Sequence, residues 1–166
     1  MLANAAETQL PENSKDKVWG EAMLTMHADH RKSEIIKEAH RILKKGGLYA
    51  IHELGLTPNN IEEETKAKIQ KELALSIKVN ARPLTQTEWV TLLENQGFKV
   101  VKVELNGMCL LETARVIDDE GLIGALKIGW NIIRNPKAKK RVLEMRNVFK
   151  KYKNHMNAIV IVAQKI

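Results

Sequence analysis

The sequence contains one cysteine, Cys109, so no intrachain disulfide and no thiolate metal cluster can form within it. Cys109 sits among Met108, Leu110 and Leu111, a setting that reads as core. Aromatic residues are scarce, at 4%, which weakens a nucleic-acid reading because single strands stack their bases on such rings. The longest purely apolar run, Ala158 to Ala163, falls far short of the roughly 20 residues that span a bilayer. Met1 to Leu10 lacks the basic start and apolar stretch of a secretory leader. There is no Ser/His/Asp motif and no phosphate-cradling loop. His27 and His30 stand three apart with no partner at ligand spacing, so no metal is expected. The simplest compartment is the cytoplasm.

What is present reads as one globular domain. The chain has 166 residues, 44% apolar and 28% charged, enough for a single sizeable core. The net charge is +7, and nine Lys and Arg face one Glu between Arg134 and Lys153. Such a run is expected to form the wet side of an amphipathic helix. An anionic membrane or nucleic acid is the other partner that charge suggests, and the less favoured one.

Patterning then gives an order of elements. Pro11-Glu12-Asn13-Ser14 is a turn, and Asp16 to Gly20 a short buried strand. Ile35, Ile36, Ala39, Ile42 and Leu43 share one face of a helix expected from Arg31 to Lys44, with Gly46-Gly47 as its stop. Leu48 to Leu54 reads as a strand, giving a parallel β-α-β crossover. Ile61 to Val79 is a second helix, and Thr85 with Glu88 forms a capping box for a third that ends at Gly97. Phe98 to Leu105 alternates as a strand with Val101 and Val103 on one side. A possible strand at Met108 to Leu111 precedes two helices between Asp118 and Lys153, the second striped by Ala138, Val142, Met145, Phe149 and Tyr152. Ala158 to Ala163 then reads as a central strand. The class is α/β.

Two stretches carry a family resemblance. Asn4-Ala5, Leu10-Pro11-Glu12-Asn13-Ser14 and Asp16-Lys17-Val18 resemble the segment of class I S-adenosylmethionine-dependent methyltransferases that runs from the third strand into the fourth. Glu38-Ala39-His40-Arg41-Ile42-Leu43-Lys44-Lys45-Gly46-Gly47 is similar to the helix leading into their fifth strand. Gly97-Phe98 and the final apolar strand match the sixth and seventh, and small-molecule methyltransferases of the quinone-biosynthesis type are the nearest in pattern. The resemblance implies a partial Rossmann-like sheet, strands 4-5-7-6 with the last one antiparallel. It also implies one truncated domain over residues 1–166, with residues 106–156 as a helical insertion. The glycine-rich cofactor loop and the acidic ribose-binding residue of the family are not in the sequence; Gly46-Gly47 and Gly121/Gly124 are wrongly placed for it.

By that resemblance, Asn4, Ala5, Gly20 and Glu21 would lie at the S-adenosylmethionine site. Glu21, His52 and Glu53 are candidate bases for an acceptor's proton. His52 is more readily a buried structural histidine, and Glu53 is slightly better placed. His27 and Arg82 are substrate-pocket candidates, Arg82 as a clamp for a carboxylate or phosphate. The function implied is methyl transfer to a small molecule, with this chain incompetent alone. The alternative is a non-enzymatic remnant or interaction module. The strand edge near residues 17–20 would be bare and is expected to pair, with a second copy or with an N-terminal half.

Overall fold

A computed structural model of the chain describes residues 4–107, 121, 124 and 134–166. Cys109, the strand expected at Met108 to Leu111 and the helix expected after Asp118 lie outside the described residues.

The first strand, β1 (Lys15–Glu21), leads through a 3-10 turn (Leu24–Met26) into helix α1 (Asp29–Ile42). Asp29 in the first turn suits the positive end of the helix dipole. Ile35, Ile36, Ala39 and Ile42 form its buried stripe. The helix ends at Ile42, four residues ahead of Gly46, and the chain enters strand β2 (Leu43–Leu56) at once. The glycine pair therefore has another task. Lys15 pairs with Leu43 and Lys17 with Leu48, so β2 bulges between them, and Gly46 takes the left-handed φ of +78° that the bulge requires.

Helix α2 (Glu63–Ile77) is followed by the two-residue strand β3 (Leu84–Thr85) and helix α3 (Gln86–Glu94). The capping box forms as expected: Glu88 N donates to Thr85 Oγ1 at 3.3 Å, and Thr85 N to Glu88 Oε2 at 2.8 Å. Strand β4 (Phe98–Gly107), helix α4 (Pro136–Lys151) and strand β5 (Met156–Lys165) complete the described elements.

The sheet order is β1-β2-β5-β4, with β3 extending beside the end of β2. β1 and β3 run parallel to β2, while β5 is antiparallel to both β2 and β4. This is the arrangement the resemblance implied, with the Ala158 to Ala163 run at its centre. α1 and α3 cover one face, where Ile35, Ile36, Tyr49, Ile51, Trp89, Ile159 and Ile161 form the main core. A second cluster joins α2 to α4 through Ile69, Leu73, Phe149 and Tyr152. Lys137, Lys139, Lys140, Arg141, Arg146 and Lys150 lie on the wet side of α4. Lys151 is paired with Glu72 at 2.7 Å.

Two strand expectations need correction. β1 is not buried: only Gly20 in it is, because its outer edge has no neighbouring strand among the described residues. Val101 does not share a side with Val103. A bulge between Val100 and Lys102 resets the alternation, so Val100 and Val103 meet the core and Val101 is 52% exposed.

One close approach in the sheet gives a direct test. A Cβ added at Gly55 would lie 1.9 Å from Asn157 Oδ1, which is itself buried and without a hydrogen-bond partner. Gly55→Ala is expected to destabilise the protein by about 1–3 kcal/mol. Asn157→Ala in the same chain should recover part of that loss, read as a coupling energy in urea melts. Additive costs would refute the clash.

Candidate functional site

In β2, Tyr49, Ile51 and Glu53 point to the core and His52 to the other face, by simple strand alternation. Glu53 is 3% exposed, so its charge needs partners. It finds them in the turn after β1. Oε1 accepts from Met23 N at 3.1 Å and Leu24 N at 2.8 Å. Oε2 accepts from Thr25 N at 3.0 Å and Thr25 Oγ1 at 2.6 Å. A carboxylate has about four lone-pair sites, and all are taken. Glu53 is thus a clamp on the turn, holding three backbone N–H groups and one hydroxyl.

Ala22 N donates to His52 O at 2.8 Å, which ties the same turn to β2 a second time. The left-handed φ of 48° at Ala22 bends the chain there.

Glu21 and His52 are register partners on β1 and β2, so their side chains leave the same face. Glu21 Oε1 lies 3.5 Å from His52 Nδ1, with both side chains at least half exposed. His52 is therefore not the buried structural histidine that its apolar surroundings suggested; Tyr49, Ile51 and Glu53 face the main core and His52 leaves the other face. A carboxylate beside one ring nitrogen orients the imidazole.

Asn4 Oδ1 accepts from Arg31 Nη2 at 2.5 Å and Ala6 N at 3.1 Å. These bonds hold the N-terminal segment, Ala5 included, against the first turns of α1. Further along, Thr8 N and Oγ1 donate to Glu38 Oε1 at 2.8 and 2.5 Å. Arg41 donates to both oxygens of Glu38, at 2.7 and 2.8 Å. The guanidinium outweighs burial and, with Thr8, holds the Glu38 carboxyl down at about 2.

Arg82 does not stand free. Its Nη2 donates to Asp29 Oδ2 at 3.0 Å, and its backbone N–H to Thr25 O at 2.8 Å. Lys32, whose side chain is fully buried, donates to Asp29 Oδ1 at 2.8 Å and to Arg82 O at 2.7 Å, and lies over the Trp89 ring. Burial pushes the Lys32 ammonium below its ordinary pKa against the opposing pull of Asp29. His27 closes the 3-10 turn, its backbone N–H bonded to Leu24 O at 3.0 Å. The turn is thus held by Glu53 from below and by Arg82 from the side. Of the expected site residues, Glu21 and His52 meet directly, and Glu53, Arg82 and His27 surround the one turn; Asn4 is bonded instead to Arg31 on α1. An open groove lined by Glu12, Glu34, Lys37, His40 and Lys165 runs along the later turns of α1, and none of the expected site residues lines it.

A methyltransferase-domain family model matches residues 1–51. These residues carry β1, the turn and the first part of β2. Among solved structures, a putative sarcosine dimethylglycine methyltransferase from Galdieria sulphuraria superposes on 98% of this chain with a TM-score of 0.71 at 15% identity, using 57% of its own length. The fold is that of a class I methyltransferase. The MccD protein shares it, with a TM-score of 0.69 and 17% identity over 99% of this chain and 66% of its own. So does phosphoethanolamine N-methyltransferase 2 of Haemonchus contortus, solved with S-adenosyl-L-methionine, with a TM-score of 0.66 and 17% identity over 98% of this chain and 36% of its own. An uncharacterized Haemophilus influenzae protein is 31% identical over 166 residues, covering 98% of this chain. The chain spans 62% of that relative's length.

In this methyltransferase-fold chain, sequence reasoning missed Lys32, Asp29 and Thr25. Lys32 had a visible signal, since it stands three and four residues before Ile35 and Ile36 on the inward stripe of α1. Thr25 had none, because its role depends on a carboxylate 28 residues away.

No helix among the described residues is long and apolar enough to cross a membrane.

Proposed function

We propose that this chain is the acceptor-side portion of an enzyme that transfers a methyl group from S-adenosylmethionine to a small molecule. The observation that carries the reading is the turn at residues 22–25, clamped by the buried Glu53 at the carboxyl end of β1, where open α/β sheets bind their ligands.

The residues present fit such a donor in part. Ala5 and the backbone of Gly20 to Ala22 would line its adenine and methionine ends. Asn4 would serve only if its oxygen, bonded to Arg31, were released. Nothing among the described residues is placed to take the ribose hydroxyls. The donor supplies an electrophilic methyl group on a sulfonium. The chain's own residues have three tasks. Glu53 fixes the turn, so that positioning is in place before reaction. His52 Nε2 accepts the proton that an acceptor O–H or N–H gives up as its heteroatom gains the methyl group. Glu21 orients that imidazole and offsets the positive charge that forms. Arg82 and His27 flank the acceptor side, where Arg82 remains bonded to Asp29.

Without a glycine-rich cofactor loop in its sequence, the 166-residue chain by itself is expected to bind S-adenosylmethionine too weakly for a saturable calorimetric titration. Joined to a complementing segment, it should transfer label from methyl-tritiated donor to phenolic or amine acceptors. His52→Ala should then lower kcat by about 10²–10⁴-fold with the donor's KM little changed. A joined complex that binds no donor would refute the reading, and an unchanged kcat would remove His52 from it.

A further inference from the structure

Between α2 and β3 the chain carries a side chain that is held less firmly than its own backbone. Arg82 lies between the buried Ala81 and Pro83. Its N–H donates to Thr25 O at 2.8 Å, and its carbonyl accepts from the buried Lys32 Nζ at 2.7 Å. Both main-chain groups are therefore fixed, one to the clamped turn and one to α1. The guanidinium is held at a single atom. Among the described residues its ion pair is Nη2 to Asp29 Oδ2 at 3.0 Å, with 42% of the Arg82 side chain and 51% of that of Asp29 in solvent. The Nε of Arg82 is buried and has no hydrogen-bond partner. A buried donor without an acceptor has given up its hydration, so this rotamer leaves part of the Arg82 fork unsatisfied. Asp29 is placed differently. Its other oxygen accepts from Lys32 Nζ at 2.8 Å, and that ammonium also lies over the Trp89 ring. Asp29 keeps a counter-ion when Arg82 leaves it.

We propose that Arg82 exchanges Asp29 for an oxyanion on the methyl acceptor, a carboxylate or phosphate held through Nε and one Nη, and that Lys32 is the positioning residue that retains Asp29 during the exchange. This rests on the methyl-transfer reading and names the class of its acceptor: a small molecule with an acidic group at one end and the methylated O–H or N–H at the other. The planar fork of Arg82 matches both oxyanions bidentately, which satisfies the Nε that Asp29 leaves unpaired. Arg82 N is bonded to Thr25 O and Ala22 N to His52 O, so the one turn ties the acidic end of the acceptor to the strand that carries the base. The net charge of +7 favours the approach of an anion. An idle surface ion pair between Arg82 and Asp29 would need no buried lysine beneath it.

The test follows the Arg82 Nε–H resonance of the nitrogen-15-labelled chain while phenyl phosphate, benzoate or neutral benzamide is added. Both anions are expected to shift it saturably at millimolar concentrations, and benzamide to leave it in place. Arg82→Lys should weaken binding about fivefold or more, read by calorimetry, because an ammonium presents no fork. Lys32→Met should weaken it by a similar factor, since Arg82 is then the remaining counter-ion of Asp29. Asp29→Asn removes the competing carboxylate and should tighten binding, and it carries the test if Lys32→Met does not fold. No saturable shift, or an equal shift with benzamide, would overturn the proposal, as would affinities indifferent to both Lys32→Met and Asp29→Asn. Free methionine binding more tightly than either probe would move the oxyanion to the donor and overturn it too. These titrations contain no donor, so their failure leaves the methyl-transfer reading standing. A joined complex that transfers no label while the anion shifts persist would sink that reading instead.

Discussion

Replacing Glu53 with alanine is expected to lower the unfolding free energy by about 3–5 kcal/mol, with a fall of about 10 °C in melting temperature. The substitution removes the acceptor for three backbone N–H groups and a hydroxyl in a site that water does not reach. Donors left unpaired in such a place lose their full hydration, and that loss exceeds what a single exposed hydrogen bond contributes. Glu53→Gln keeps one oxygen but turns an amide N–H₂ toward donors, so it should cost about 2 kcal/mol rather than nothing. Urea melts give both values. Hydrogen exchange at Met23, Leu24 and Thr25 should quicken before the rest of the sheet opens. A loss below about 1 kcal/mol for the alanine variant would mean that the turn holds its shape without the carboxylate.

Acid should expose the second large effect. Glu38 titrates at about 2 in the folded protein instead of the ordinary 4.5, chiefly because Arg41 donates to it, with Thr8 assisting. A carboxyl lowered on folding stabilises the native state above its unfolded pKa. That contribution is fully present above about pH 4.5 and is lost as pH falls toward 2. The shift corresponds to about 3 kcal/mol, reduced somewhat because Arg41 is one-third exposed. Glu38→Gln should therefore cost about 2–3 kcal/mol at pH 7 and almost nothing at pH 2. Plotted against pH, the two stability curves should converge on the acid side. Curves that remain parallel would assign the acid sensitivity to other carboxylates.

The elements legible in the sequence were those built by local rules. The stripe on α1, the Thr85–Glu88 box and the apolar run of β5 each depend on residues within a few positions of one another. The order β1-β2-β5-β4 came instead through resemblance, since no period in the chain states which strand lies between which. What misled the reading was parity and register. A bulge at Val100 to Lys102 turned Val101 outward, and alternation along β2 exchanged the expected environments of His52 and Glu53. Both errors are of one residue, and in a strand one residue is a change of face. The clamp on the turn was illegible for a different reason. Its partners are 28 to 30 residues apart and use backbone N–H groups, which every residue has.

The position of β5 also governs when the sheet can be made. Among the described residues β4 bonds only to β5, and β2 reaches β4 only through it, with Leu48 matched to Gln164 more than a hundred residues later. A ribosome delivering this chain would release β1, α1 and β2 long before their central neighbour is synthesised. During that interval the edge of β2 that awaits β5 stays open to other nascent chains, and the wait ends only when Met156–Lys165 clears the exit tunnel.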